Sequence, residues 1–321
     1  MRVVSLFSGA GGFDLGFVQA GHEVIWATDY NKDCAATYHH NIGNHFVLDD
    51  IRNIPTSQIP ECDIVIGGFP CQGFSQANRN RDIKDERNTL YREFVRVVND
   101  KQPSYFVAEN VRGLLSIDKG EAIKTIINDF QSIGYKVSYR LFNAADFGVP
   151  QNRFRVIIIG IRNDIFQGTF PFPQPTHSQK PSLITPNKWV TISEALESIP
   201  EPEEEHDLLN HIYSKYKVTD RNFIGHRKTD PHKPSPTILA KDTGGNVTTQ
   251  HPKNHRRMSV RESAIIQTFP LDFEFKGSMG SQYRQIGNAV AVKFALKIGE
   301  EFRKIEKSEL ILRDKKTLLA V

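Results

Sequence analysis

The run Asp63-Ile64-Val65-Ile66-Gly67-Gly68-Phe69-Pro70-Cys71-Gln72-Gly73-Phe74-Ser75 decides the architecture. An apolar, β-branched strand passes without a break into glycines and then into a Pro-Cys pair. Such a turn presents a thiol at the carboxyl edge of a sheet, where open α/β sheets bind their ligands. Two further stretches repeat the arrangement. Glu109-Asn110-Val111 follows the apolar strand at 104–108, and Gln151-Asn152-Arg153-Phe154-Arg155 precedes another at 156–159. A thiol, a carboxylic acid and two arginines thus arrive at strand ends, a set suited to covalent chemistry on a polar, planar substrate.

Working outward, strand and helix signals alternate through the first 165 residues. Strands are expected at 2–7, 22–28, 45–48, 63–66, 104–108, 136–143 and 155–162, and helices at 12–20, 32–41, 88–101 and 119–133. In the last of these, Ile123, Ile126, Ile127 and Phe130 stand at the i, i+3, i+4, i+7 spacing of one buried face. This alternation predicts an α/β fold, a doubly wound and mostly parallel sheet with helices on both faces. The run Phe170-Pro171-Phe172-Pro173-Gln174-Pro175 ends the rhythm and reads as a linker. Residues 176–257 are rich in Pro, His and charge, and predict a smaller, irregular domain. Helices resume at 260–266 and 289–307. The expected division is 1–172, 173–258 and 259–321.

The chain has 321 residues, of which 39% are hydrophobic and 24% charged, the balance of a soluble globular protein. No apolar run reaches the roughly 18 residues of a membrane helix, and the N-terminal residues enter a strand at once, unlike a signal peptide. The three cysteines, Cys34, Cys62 and Cys71, form no Cys-x-x-Cys pair. That pattern predicts a reducing compartment, no disulfide and no metal site. The net charge of +4 is less informative than its distribution. Between His226 and Arg261 eight Lys and Arg stand against two Asp, a local basic surface suited to a phosphate backbone.

The turn after the first strand is Phe7-Ser8-Gly9-Ala10-Gly11-Gly12-Phe13. Its glycines allow close backbone approach to a nucleotide-like cofactor. Asp14 stands where a dinucleotide fingerprint would place its third glycine, which disfavours a nicotinamide oxidoreductase. Asp29, ending the second strand, is placed to bind ribose hydroxyls, Tyr30 to stack on adenine, and Asp50 to accept from an adenine amino group.

Phe-Ser-Gly-Ala-Gly-Gly, Pro-Cys-Gln, Glu-Asn-Val, Gln-x-Arg-x-Arg and Gln285-Ile286-Gly287-Asn288-Ala289-Val290 occur in this order. Together they resemble the ordered motifs of the cytosine-C5 DNA methyltransferases of bacterial modification systems, from Val4 to about Lys297 except for the variable middle. The resemblance implies a methyltransferase fold using S-adenosylmethionine, with a target-recognition domain in the middle segment. It implies that Cys71 is the nucleophile, that Glu109 holds the N3 and amino edge of a flipped cytosine, that Arg155 contacts its O2, and that Arg153 buttresses the site. The cofactor is expected against Phe7, Gly9, Gly11, Asp29, Tyr30, Asp50, Ile51, Leu90, Asn288 and Val290.

DNA contacts are expected from Gln72 and Ser75 in a closing loop, and from Arg227, Lys241, Asn246, Arg256 and Arg257. The run at 201–205 is expected to be a solvated acidic loop. Asn110 is expected to shape the turn after Glu109 and to take no part in chemistry. The implied partner is double-stranded DNA, with a companion restriction endonuclease acting on the same site, no membrane, a monomeric state and a cytoplasmic, nucleoid-associated location. The tRNA-methylating branch of the family is disfavoured, because its Cys-Phe-Thr tripeptide is absent. A catalytically silent DNA-binding protein on this fold would have no need of Cys71, Glu109 and Arg155.

Overall fold

The computed structural model describes residues 1–70, 90–215, 229–240 and 250–319, the last twelve of these as backbone. A seven-stranded sheet forms its centre. Strands β1 (Arg2–Leu6), β2 (Glu23–Asp29), β3 (Phe46–Leu48), β4 (Ile64–Gly67) and β5 (Tyr105–Val111) are parallel, while β7 (Phe154–Arg162) runs antiparallel between β5 and β6 (Tyr135–Asn143). The order is β3-β2-β1-β4-β5-β7-β6. The chain therefore starts in the middle, winds outward through β2 and β3, and returns to place β4 on the other side of β1. That reversal opens a crevice beyond the carboxyl ends of β1 and β4, the switch point at which such sheets bind ligands.

Both faces of the sheet are covered, which is why β4 is apolar at successive positions: Ile64, Val65 and Ile66 have no exposed surface. One face packs on α1 (Gly12–Gln19), α2 (Lys32–Asn41) and the start of α8 (Val292–Leu319). The other packs on α3 (Leu90–Lys101) and α4 (Glu121–Ser132). In α4 the expected stripe is buried at Ile123, Ile126 and Phe130. Two glycines set the close contacts. A Cβ on Gly16 of α1 would stand 2.4 Å from the Ala295 methyl and 2.7 Å from the Val292 carbonyl oxygen of α8. A Cβ on Gly160 of β7 would stand 1.8 Å from the Phe106 ring, which lies stacked on Phe130 at 4.1 Å.

Among its described residues, the middle segment carries little regular structure: the two-residue strands β8 (His177–Ser178) and β9 (Asn187–Lys188), and the short helix α5 (Ile192–Ala195). Its apolar residues Ile192, Leu196, Ile238 and Met258 share one cluster with Val260, Ala264 and Ile266 of α6 (Val260–Ile266), with Phe269, Phe273 and Phe275, and with Ile286 of α7 (Met279–Asn288). A single core thus crosses the division expected at 258/259. Among the described residues, no helix is long and apolar enough to cross a membrane.

Most expected elements lie within a few residues of their observed bounds, and three differ. Strand β5 runs on to Val111, so Glu109 and Asn110 are in the strand and not after it. Helix α7 had no sequence signal, because its buried face is made of Ser281, Gln282, Gln285, Ile286 and Gly287; a polar interior face hides the apolar period. Helix α8 starts at Val292, since Ala289 is extended, and continues beyond 307.

Candidate active site

A cleft of about 430 Å3 opens at the switch point, within the range of small-molecule sites. One wall is the turn after β1. Phe7 holds φ 56°, Gly9 54° and Gly11 84°. A left-handed aromatic residue is strained by roughly 1–3 kcal/mol, and here the strain lies on the cleft wall. The Gly9 amide donates to Asp29 Oδ2 at 3.0 Å, and the Asn31 amide to Oδ1 at 2.9 Å. Burial raises the Asp29 pKa, against these hydrogen bonds. A Cβ on Gly9 would meet nothing within 4 Å, so open space lies above this backbone. Tyr30 also lines the cleft, and its side chain is 74% exposed.

Asp14 forms the floor. It is fully buried, accepting from Ser5 Oγ at 2.7 Å and from the Tyr38 hydroxyl at 2.8 Å. That hydroxyl also lies 3.0 Å from His45 Nε2. Burial pushes the Asp14 carboxyl up to about 6, against the two hydroxyl hydrogen bonds. This is the residue whose position broke the dinucleotide pattern. An acid in the first turn of a helix that follows a glycine loop was the signal that could have marked it.

The opposite end of the cleft is built by β4, β5 and β7. Because β7 is antiparallel to β5, its first residues reach the carboxyl edge, with Arg155 in register with Val111. Arg155 Nε lies 2.5 Å from Glu109 Oε1. This is a charge contact whose N–H is not aligned as a hydrogen bond. Both side chains are about one-tenth exposed. A Cβ on Gly68 would stand 3.0 Å from Glu109 Oε2, and one on Gly67 2.4 Å from the Leu6 carbonyl oxygen. These two glycines let the turn leading to Cys71 pass directly beside the carboxylate. Asn110 donates from Nδ2 to the Phe69 carbonyl at 2.9 Å and accepts from the Val111 amide. It therefore anchors the Gly68–Pro70 turn.

Arg153 is 1% exposed. It donates from Nη1 to the Ile238 carbonyl at 3.0 Å, and from Nη2 to the Gly287 and Ala289 carbonyls at 2.8 and 2.9 Å. Burial, and then the neighbouring Arg155 charge, disfavour its cation, while Glu109 favours it. The third wall is the segment from Gly287 to Val290. It is held against the first turn because Gly12 lacks a Cβ, which would stand 2.5 Å from the Val290 carbonyl oxygen.

Of the residues expected at the site, the cleft wall brings together Phe7, Gly9, Asp29, Tyr30, Glu109, Arg153, Arg155, Asn288 and Val290. Four others lie off that wall. Gly11 precedes α1 and packs on Tyr38 and Ile42, which a Cβ there would strike. Asp50 caps the turn at 51–53 and pairs with Arg52 at 2.7 Å. Ile51 is buried in the core facing α3, and Leu90 packs against that core from partial exposure. Cys71, Gln72, Ser75, Arg227, Lys241 and Asn246 lie outside the described residues.

Arg256 and Arg257, expected to contact DNA, are buried, at 8% and 2% exposure. Arg256 is paired with Glu262 at 2.7 Å and with Glu201 at 2.8 Å. Glu201, about a third exposed, therefore joins an ion-pair network whose other members are buried, while Glu203, Glu204 and Glu205 are exposed, as expected of a solvated acidic run. A long basic side chain counts equally as surface or core in a charge tally, and only the fold brings a carboxylate to it.

The profile of the C-5 cytosine-specific DNA methylase family matches residues 1–304. The chain is 38% identical to the Type II methyltransferase M.NgoFVII of Neisseria gonorrhoeae, over 99% of this chain and 92% of that one. It is 36% identical to the Type II methyltransferase M.FnuDI of Fusobacterium nucleatum, over 94% of each. The crystal structure of the S. pombe Dnmt2 methyltransferase superposes with a TM-score of 0.71 at 22% identity, over 95% of this chain and 99% of that one. This last likeness is one of fold.

Proposed function

The chain belongs to the C-5 cytosine-specific DNA methylase family, and from that premise we propose a covalent route for its reaction. It is a DNA cytosine-5-methyltransferase that uses S-adenosylmethionine. The cleft fits that cofactor: the space over Gly9 suits its backbone-hugging parts, the Asp29 carboxylate a ribose, and the exposed Tyr30 ring an adenine. Held there, S-adenosylmethionine supplies an electrophilic methyl group for C5 of cytosine.

C5 is a poor nucleophile until a thiolate adds to C6 and turns the ring into an enamine. Cys71 is the proposed thiolate. Glu109 binds the N3 and amino edge, where electron density would otherwise build up. Arg155 stabilises charge at O2, and Arg153 fixes the frame behind it. Loss of the C5 proton then expels Cys71 by β-elimination. These atoms are out of reach inside a stacked duplex, so the target base is flipped out. The observation that carries this reading is the Glu109–Arg155 contact on the cleft wall, beside the glycine turn that leads into Cys71.

The enzyme is proposed to act as a monomer on double-stranded DNA in the cytoplasm, at the nucleoid, protecting host DNA from a companion endonuclease of the same specificity. Bisulfite sequencing of plasmid DNA from a methylation-free host expressing the enzyme should reveal 5-methylcytosine at one short site. Duplexes with 5-fluorocytosine at that site should be trapped as a denaturation-resistant adduct by the wild type and not by Cys71→Ser. A Cys71→Ser enzyme that methylates at the wild-type rate would overturn the covalent route.

A further inference from the structure

The cofactor wall and the stretch leading to residues 241–249 are fastened to the same buried groups. Arg153 divides its fork between the Ile238 carbonyl on one side and the Gly287 and Ala289 carbonyls on the other. A second, parallel tie uses two buried amides. Gln151 accepts from the Ile238 amide at 2.9 Å and donates from Nε2 to Gln267 Oε1 at 2.9 Å. Gln267 in turn donates from Nε2 to the Ile286 carbonyl at 2.7 Å and the Ala289 carbonyl at 3.1 Å. Gln151 and Gln267 have no exposed surface. The strap is closed by direct contact, since a Cβ on Gly287 would stand 2.4 Å from the Leu239 carbonyl. Thr237 Oγ1 also donates to the Asn152 carbonyl at 2.7 Å.

We infer that Gln151, Gln267 and Arg153 act as positioning residues that couple DNA engagement by the middle segment to cofactor binding at residues 287–290. The physical reason is the absence of an alternative partner. A donor or acceptor buried this deeply cannot exchange its carbonyl for water, so it keeps its partner or loses the bond outright. A displacement of the 235–240 stretch is thereby passed to the cleft wall, and the reverse holds equally because coupling is reciprocal. Gln267 stood in the sequence as one glutamine within an apolar helix end, in none of the motifs that marked the site.

The inference rests on the methyltransferase reading, and the experiment separates the two. S-adenosylhomocysteine, which cannot react, is titrated calorimetrically with and without a duplex carrying the mapped site. The wild type should bind it at least about fivefold more tightly with DNA, the low end of measured couplings. Gln267→Met keeps the volume, removes the three side-chain hydrogen bonds while the Arg153 tie remains, and should at least halve that ratio. Thr237→Val is the milder variant should Gln267→Met fold poorly, and it should lower the ratio part of the way. Ile126→Ala, a cavity in the remote core between α4 and the sheet, should lower stability and leave the ratio intact. A wild-type ratio of one, a wild-type ratio in both strap variants, or an equal loss in Ile126→Ala would each overturn the inference. Failure of the wild type to bind S-adenosylhomocysteine or methylate DNA would instead sink the methyltransferase reading.

Discussion

Among the described residues, the Glu109 carboxylate has one cation paired with it and one glycine beside it. Arg155 balances its charge at 2.5 Å, and Gly68 leaves it room. Replacing Glu109 by Gln keeps the shape and removes the charge and the exchangeable proton. Methylation should fall by roughly 10²–10⁴, the usual worth of a general acid, with S-adenosylhomocysteine affinity nearly unchanged. Weak cofactor binding with normal turnover at saturation would reassign the residue to the cofactor. Asp14 offers a test at the other end of the cleft. Its folded pKa of about 6 lies above its unfolded value of 3.8. The native state therefore binds an extra proton between those values, and the stability this provides is full below about pH 4 and lost as pH rises through 6. The loss amounts to roughly 3 kcal/mol for a shift of this size. Asp14→Asn can accept from Ser5, donate to Tyr38, and let Tyr38 donate to His45. Urea midpoints for the variant relative to wild type should rise between pH 4 and 7. Parallel curves would show that Asp14 does not titrate there.

At the scale of elements, the critical contacts are those made where a side chain is missing. Gly160 sits in β7 because the Phe106 ring of β5 occupies the place of its Cβ. Gly160→Ala should cost about 1–3 kcal/mol by overpacking, and Phe106→Leu in the same chain should recover part of it. Independent, additive losses in chemical denaturation would argue against the contact. Helix α6 makes a different point. Its start is a capping box, Ser259 with Glu262, and Glu262 also holds Arg256. Arg256→Met leaves that buried carboxylate without its cation and should cost about 3–5 kcal/mol. Were Arg256 instead a phosphate contact, the variant would keep its stability and flatten the salt dependence of DNA binding by about one counterion.

For the whole molecule, the proposal that sequence choice resides in the middle segment is tested by exchanging it with that of a relative of different specificity. The chimera should methylate the donor's site. Recovery of the original site would place recognition elsewhere. Residues 173–258 share a core with α6 and α7, so a graft that also carries the donor's residues from 259 to 290 should be the more stable of the two. The sheet, its helices, the glycine turn and the acid and arginines at strand ends were legible in the sequence. Each is written in a local signal: an apolar period, a glycine where backbone must come close, a charged residue after an apolar run. The place of Glu109 and Arg155 on the cleft wall could be expected for that reason. Their contact could not, because it depends on β7 reversing direction beside β5. The burial of Arg256, the polar inner face of α7 and the amides of Gln151 and Gln267 were likewise settled by tertiary structure. A polar or charged side chain has the same local appearance in water as in a core. What separates the two cases is a partner dozens or hundreds of residues away, as Gln267 is from Gln151, and such a partner is chosen only when the chain closes on itself.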